Sequence, residues 1–371
     1  MIAIAKGFEE AMHEDKLLLV GSVPFESAQE VMLASAGRLG AHLDCIPDGE
    51  VLDRRYWVLR MAFQVFNGHA ALETVHRPDA PLGCEKLIPA SREDVWRFRL
   101  RPGIERLSFD MPGWRLGYAK DAQNSYAIFS ALKREGKLRP EARFQVSLPA
   151  TNSVCNPAIF GTDERELGIV RAGFQESLVA ETRKVCEIVP ADELAVQFDC
   201  SFEVTDVHGA TGLPIEGSIE RNTAQFAELT AAVAPGAQLG FHLCFGTFGG
   251  WPRFAPDTLA RTVELANAIA AVAARPIDWM HIPALDTVDE AFYAPLANLA
   301  LGDARIYLGL VHSMDSFEER YRQARRFLPD FGLAAYCGLG RLEPGQVAGC
   351  LADHIDALAK ADRIRGAAAR A

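Results

Sequence analysis

Two residues able to hold a metal sit two positions apart in one apolar run, Gly240-Phe241-His242-Leu243-Cys244-Phe245-Gly246. In a β-strand, positions i and i+2 point to the same face. His242 and Cys244 would then offer an imidazole nitrogen and a thiol to a common point, as a metal ion requires. Taken alone, the pair reads more simply as a buried histidine beside a buried free cysteine. Other apolar runs end in comparable residues. Cys337 is the natural third zinc ligand beside His242 and Cys244. His281 is a candidate for the fourth, against a reading as a structural or substrate-contacting histidine.

Positioning such residues takes a repeating scaffold, and the chain has one. Short apolar runs at 17–24, 43–50, 144–149, 195–199, 240–246, 277–283, 306–312 and 332–338 each precede a helical pattern. Ser27 is placed to cap the first helix, and the second runs through Arg54, Trp57, Met61 and Val65. Later helices are expected over about 164–188, 219–233, 257–273, 288–301, 316–327 and 343–361. Eight apolar strands alternating with helices predict an α/β fold, a single (β/α)8 barrel over 1–371. A doubly wound sheet would carry a Gly-rich phosphate turn, and none is present.

Between the second and third runs the rhythm breaks, giving an excursion over 68–140. It carries Arg92, Arg97, Arg99 and Arg101 interleaved with Trp96 and Phe98, then Pro102-Gly103 and Pro112-Gly113, and a helix near 123–136. The arginines of 91–106 read as a solvated helix face paired with Glu93 and Asp94, or as a cradle for an anionic tail of a substrate or cofactor.

Barrel chemistry collects at the C-terminal ends of the strands. Those ends carry Ser22; Asp48 and Glu50; Thr151 and Asn152; Asp199 and Glu203; His242 and Cys244; His281; His312 and Asp315; and Cys337. Polar or metal-competent side chains at the same end of every run predict a site there.

Composition narrows the partners. A net charge of −11 argues against nucleic acid. No run approaches the roughly 18 apolar residues of a membrane span, and residues 1–10 turn acidic too early for a secretory signal. The eight cysteines follow no disulfide spacing, so a reducing cytoplasm is expected.

These motifs resemble the cobalamin-independent methionine synthases and their zinc-dependent thiol alkyltransferase relatives, within a superfamily that also holds uroporphyrinogen decarboxylase-like proteins. Gly21-Ser22-Val23-Pro24 resembles a Gly-Ser-Phe-Pro strand whose serine touches the homocysteine carboxylate. Asp48-Gly49-Glu50, followed by Arg54-Arg55-Tyr56-Trp57, is similar to a His-Gly-Glu turn whose glutamate binds the amino-acid substrate. Gln197-Phe198-Asp199 resembles Gln-Ile-Asp, whose aspartate binds the amino group. His242 and Cys244 match the zinc pair, Val311-His312-Ser313 resembles the segment of the catalytic histidine, and Cys337-Gly338-Leu339-Gly340-Arg341 resembles the surroundings of the last zinc cysteine.

Three departures stand out. His281-Ile282-Pro283 occupies the place of a zinc-binding glutamate, which resembles the epoxyalkane:coenzyme M transferase branch. Asp199-Cys200-Ser201-Phe202 replaces Asp-Glu-Pro-Ala, and the long N-terminal half of full methionine synthases has no counterpart.

The resemblance implies zinc held by His242, Cys244 and Cys337, and transfer of an alkyl group, most simply methyl, to a small thiol activated as its thiolate. His312 and Asp199 are the expected catalytic residues, and Ser22, Asp48, Glu50, Arg55, Asn152 and Glu203 the expected substrate contacts. The expected partners are the thiol and an alkyl donor, with a methyl-folate as one candidate donor and homo-oligomer formation left open. Alternatives are a metal-free decarboxylase, a demethylase or other C–S or C–O cleaving enzyme, and a non-catalytic ligand-binding barrel.

Overall fold

The computed structural model describes residues 16–79, 88–89, 91–111 and 115–368. The readings of residues 1–10, Cys84 and Pro112-Gly113 lie outside them. Eight parallel strands form one sheet: β1 (Leu17–Leu18), β2 (Cys45–Pro47), β5 (Arg143–Pro149), β6 (Leu194–Cys200), β7 (Gln238–Leu243), β8 (Trp279–Pro283), β9 (Arg305–Gly309) and β10 (Gly332–Ala334). Their order, β1-β10-β9-β8-β7-β6-β5-β2, is that of a (β/α)8 barrel. Only β1 and β2 are not laddered as neighbours. A single parallel bridge, Leu17 to Leu43, joins them, with the Leu17 N–H donating to the His42 carbonyl at 3.0 Å.

Beyond β1 the chain runs on without a ladder, leaving carbonyls that need donors. They find them inside the barrel. Gln145 Nε2 donates to the carbonyls of Leu19 (3.1 Å) and Val20 (3.0 Å), and Gln197 Nε2 donates to Val20 at 2.6 Å. The Val23 N–H then reaches the Gly49 carbonyl at 2.7 Å, closing the top of this seam.

Strand residues alternate between two apolar environments. Outward side chains such as Val196, Phe198, Leu239, Phe241, Met280 and Ile282 join the large core under the helices. Inward ones, among them Leu18, Cys45, Ala195, Trp279, Tyr307 and Ala334, form a second cluster within the barrel. Burial on both faces is why the strands read as continuous apolar runs. Gly240 is required here: a Cβ would stand 1.8 Å from the Trp279 ring, which plugs the barrel floor.

Between β2 and β5, strands β3 (Leu72–His76) and β4 (Arg97–Leu100) pair antiparallel as a separate ribbon. Arg97 and Arg99 therefore lie on a strand, not on a helix face. Their exposure alternates with burial of Phe98 and Leu100, the period of a ribbon with one wet side. Phe98 packs against Phe66 and Phe160, with ring centroids 5.7 and 5.9 Å away.

Helix Glu164–Ile188 has the expected bounds. Helices also form without a break at Tyr118–Arg134, Ala260–Val272, Phe317–Arg325 and Val347–Ala368, while three other expected helices break. Trp57 (φ +53, ψ −116) divides a 3-10 segment, Leu52–Tyr56, from helix Val58–Gln64. The expected helix at 219–233 is two short ones, Ser218–Thr223 and Phe226–Ala231. That expected over 288–301 is one turn, Glu290–Tyr293, followed by 3-10 geometry from Ala294, where Pro295 has no N–H to continue the ladder. No helix among the described residues is long and apolar enough to cross a membrane.

Candidate metal centre and active-site cavity

At the C-terminal mouth of the barrel lies a cavity of about 160 Å³. Register brings its chemistry together, because Asp199 of β6 pairs with His242 of β7, which pairs with His281 of β8. His242 and Cys244 continue the inward face begun by Gly240, so both point into the barrel. Cys337 follows β10 on the loop. Its Sγ lies 3.4 Å from Cys244 Sγ and 3.5 Å from His242 Nε2.

All three donor atoms lie within 4.8 Å of one another. With Zn–S near 2.3 Å and Zn–N near 2.0 Å, the edges of a tetrahedral site are roughly 3.5–3.8 Å. The two edges from Cys337 are close to these lengths, and the third, between His242 and Cys244, is under 4.8 Å. Burial holds His242 well below its ordinary pKa, and the neighbouring His281 adds to this, so the ring is neutral as a ligand must be. The hydrogen bond with Cys244, then burial and the Cys244 charge, push the Cys337 thiol well up. A divalent cation between the two sulfurs would reverse that balance.

His281 is not among these donors, contrary to its place as a candidate ligand. It is fully buried, with Nδ1 2.7 Å from His242 Nδ1 and Nε2 3.0 Å from the Ala335 carbonyl oxygen. Burial lowers its pKa to about 4.

Ser22, Glu50, Arg55 and Asp199 line the same cavity as the three donors. Ser22 Oγ accepts from the Gly340 N–H at 3.3 Å, and its carbonyl accepts from Leu339 at 2.6 Å, which docks the Cys337 loop beside it. Glu50 occupies a left-handed backbone (φ +46). Burial pushes its carboxyl up to about 7, and nearby Asp48 opposes ionisation while Arg54 favours it. Asp199 Oδ1 accepts from Gln197 Nε2 at 2.8 Å. Burial and the Glu50 charge nevertheless raise Asp199 well above the carboxylate range.

Besides His281, four expected site residues lie outside this cavity. Asp48 turns away to pair with Arg54 (2.6 Å), and despite burial that charge and its hydrogen bonds keep Asp48 low. Asn152 donates to Arg221 O and Asn222 Oδ1, at 3.0 and 3.1 Å. Glu203 accepts from Ser153 at 2.5 Å and Gln225 at 3.1 Å. Both belong to a polar network between helices. His312 sits behind Tyr336, ring centroids 5.4 Å apart, with Nε2 2.9 Å from the Ala284 carbonyl and 3.1 Å from Arg320 Nη1. Burial and the Arg320 charge lower it to about 4.

The cavity also gathers Ser153, Asn156, Tyr56, Arg92, Arg253 and Arg341. Arg92 is the one member of the 91–106 arginines on its wall, and it binds the carbonyls of Phe248, Gly250 and Arg253. Arg55 and Arg341 place their guanidinium carbons 5.0 and 5.2 Å from the centre of the Tyr56 ring. Arg341 was visible in its Cys-Gly-Leu-Gly-Arg context, whereas Arg253 has no local signal.

No protein-family profile matches the sequence, and no curated protein matches it. Solved structures do. One from Listeria monocytogenes, described provisionally as a vitamin-B12-independent methionine synthase, aligns with TM-score 0.52 at 13% identity, over 89% of this chain and 86% of its own. A methyltransferase from Methanosarcina mazei aligns with TM-score 0.54 at 11% identity, over 93% and 94%. The chain shares their fold.

Proposed function

We propose that this protein transfers an alkyl group, most simply methyl, to a small thiol with the help of zinc held by His242, Cys244 and Cys337. The observation that carries the reading is the convergence of one neutral imidazole and two thiols on the wall of a cavity that also holds carboxyl and guanidinium groups. The likeness to folds described as methyl-transferring agrees with it. Zinc bound there supplies Lewis acidity that lowers the pKa of a thiol entering the cavity.

The protein's residues do the rest. Two cysteine thiolates and a neutral histidine balance the 2+ charge, which leaves a substrate sulfur electron-rich enough to attack carbon. Asp199, held protonated, is placed to give a proton to a leaving group. From the sequence, that proton is expected of His312, and Asp199 is a substrate anchor as well as a catalytic residue; Asp199 lines the cavity and His312 does not, which favours Asp199 as the donor. Arg55 and Arg341 suit an anionic group on a substrate, and Ser22 and Glu50 complete the polar wall. A reducing compartment such as the cytoplasm suits the seven described cysteines, all unpaired.

Metal analysis of protein purified without added zinc tests this. About one equivalent is expected in the native chain and less than about a tenth in His242→Ala and Cys337→Ala. Native protein with so little zinc, unchanged by either substitution, would sink the metal; one equivalent with no alkyl transfer to any small thiol would sink the reaction.

A further inference from the structure

All four ring nitrogens of the two buried histidines make resolved contacts, and the contacts of His281 fix where the protons are. The Ala335 carbonyl oxygen, 3.0 Å from His281 Nε2, can only accept, so Nε2 carries the hydrogen. The Leu243 carbonyl bears on this ring as well, but burial keeps His281 neutral, so its single ring hydrogen, on Nε2, leaves Nδ1 bare. That atom lies 2.7 Å from His242 Nδ1, and a contact between two ring nitrogens needs one proton, which must be on His242. Neutral His242 is left with a bare Nε2, the atom 3.5 Å from Cys337 Sγ.

We infer that His281 is a positioning residue: by accepting from His242 Nδ1–H while donating to Ala335, it fixes the His242 tautomer whose Nε2 lone pair faces the two cysteines. The inference rests on the proposed metal reading for its purpose, but the tautomer itself is a property of the chain. The opposite arrangement, with the proton on His242 Nε2, would block the metal-facing atom.

The scaffold makes room for this relay. Between β8, which carries His281, and the loop after β10, which carries Ala335, runs β9. His281 must cross it, and it does so at Gly309, where a Cβ would stand 3.2 Å from His281 Nε2 and 2.9 Å from the Tyr336 Cα. Ala335 also lies two residues before Cys337. One hydrogen-bonded chain thus ties the strand that carries one ligand to the loop that carries another. Ligand imidazoles are commonly oriented by such a partner on the far nitrogen, and its loss weakens metal binding about 10- to 100-fold.

Two substitutions separate positioning from packing. In His281→Asn the amide oxygen falls near the Nδ1 position and can still accept from His242. In His281→Gln the amide reaches the Ala335 end and leaves His242 without its acceptor. The expected result is a loss of about 10- to 100-fold in zinc affinity for His281→Gln, by competition with a chelator, and a loss of only a few-fold for His281→Asn. Imidazole nitrogen NMR of the metal-free full chain should show His242 protonated on Nδ1 in the native protein and in His281→Asn, and a mixture of tautomers in His281→Gln. A native His242 protonated on Nε2, or a tautomer identical in the native protein and His281→Gln, overturns the inference. Equal affinity losses in the two folded variants also overturn it. If the native chain binds no zinc, the NMR arm still decides the tautomer while the metal reading fails separately.

Discussion

Glu50, in the turn after β2, and Asp199, at the end of β6, line one cavity, and the charge of the first adds to burial in keeping the second protonated. Because Glu50 titrates at about 7 when folded against an ordinary 4.5, the folded state holds its proton more tightly than the unfolded chain. Stability is unaffected by this group below 4.5, falls as pH rises from 4.5 to about 7, and stays reduced above. Asp199, also raised, acts in the same direction. Glu50→Gln should therefore flatten the decline across that window and be more stable than the native protein above it. Denaturant midpoints on either side of the window measure this; parallel profiles for the two proteins would refute it.

Asp199 and His312 make opposite predictions. Asp199→Asn removes the proton donor at the cavity and should lower kcat by about 10²- to 10⁴-fold. His312→Gln, behind Tyr336, should leave turnover within about ten-fold of native, since the group is not positioned to transfer a proton. Single-turnover alkyl transfer distinguishes them, and the reverse ranking would return the acid role to His312.

Arg55 and Arg341 flank Tyr56 at the cavity. If they bind an anionic group, Arg55→Gln and Arg341→Gln should raise KM for 3-mercaptopropionate about 10- to 100-fold, leave kcat close to native, and change KM for 2-mercaptoethanol little. Equal effects on both thiols would place the arginines outside substrate binding.

Gly240→Ala tests the barrel floor. The added methyl would collide with the rigid Trp279 ring at 1.8 Å. Such overpacking should destabilise by about 3 kcal/mol or more. A denaturation midpoint unchanged from native would mean that Trp279 has another place to go.

The barrel was legible because its strands are buried on both faces and spaced by helices, a pattern that survives loose boundaries. Strand-end reasoning picked Ser22, Glu50, Asp199, His242, Cys244 and Cys337, all of which line the cavity, because each lies on the inward face or in the turn just beyond it. It failed where the chain turns helical at once. Residues 151–154 form a short helix, in which neighbours are rotated by about 100°. Ser153 therefore touches the cavity while its hydroxyl bonds Glu203, and Asn152 turns wholly to the polar network, a choice that sequence position cannot make. Asp48 was lost to a neighbour six residues on, Arg54, and Arg92 reaches the site from an appended ribbon. These are tertiary facts with no local signature.

The side-chain amides that close the seam also give the cavity an uneven footing. One amide group, Gln197 Nε2, holds both the Val20 carbonyl and the Asp199 carboxyl. The β1–β2 seam is the part of the barrel with fewest backbone hydrogen bonds, so its amide protons should exchange with deuterated solvent before those of β5 to β8. Each such local opening frees Gln197 Nε2 from the Val20 carbonyl, while Gln197, Asp199 and the His242–His281 pair, all on the laddered strands β6 to β8, stay in place. Breathing of the seam thus reaches the site only through the one amide that steadies its acid, and the ligands and the acid share the more persistent core.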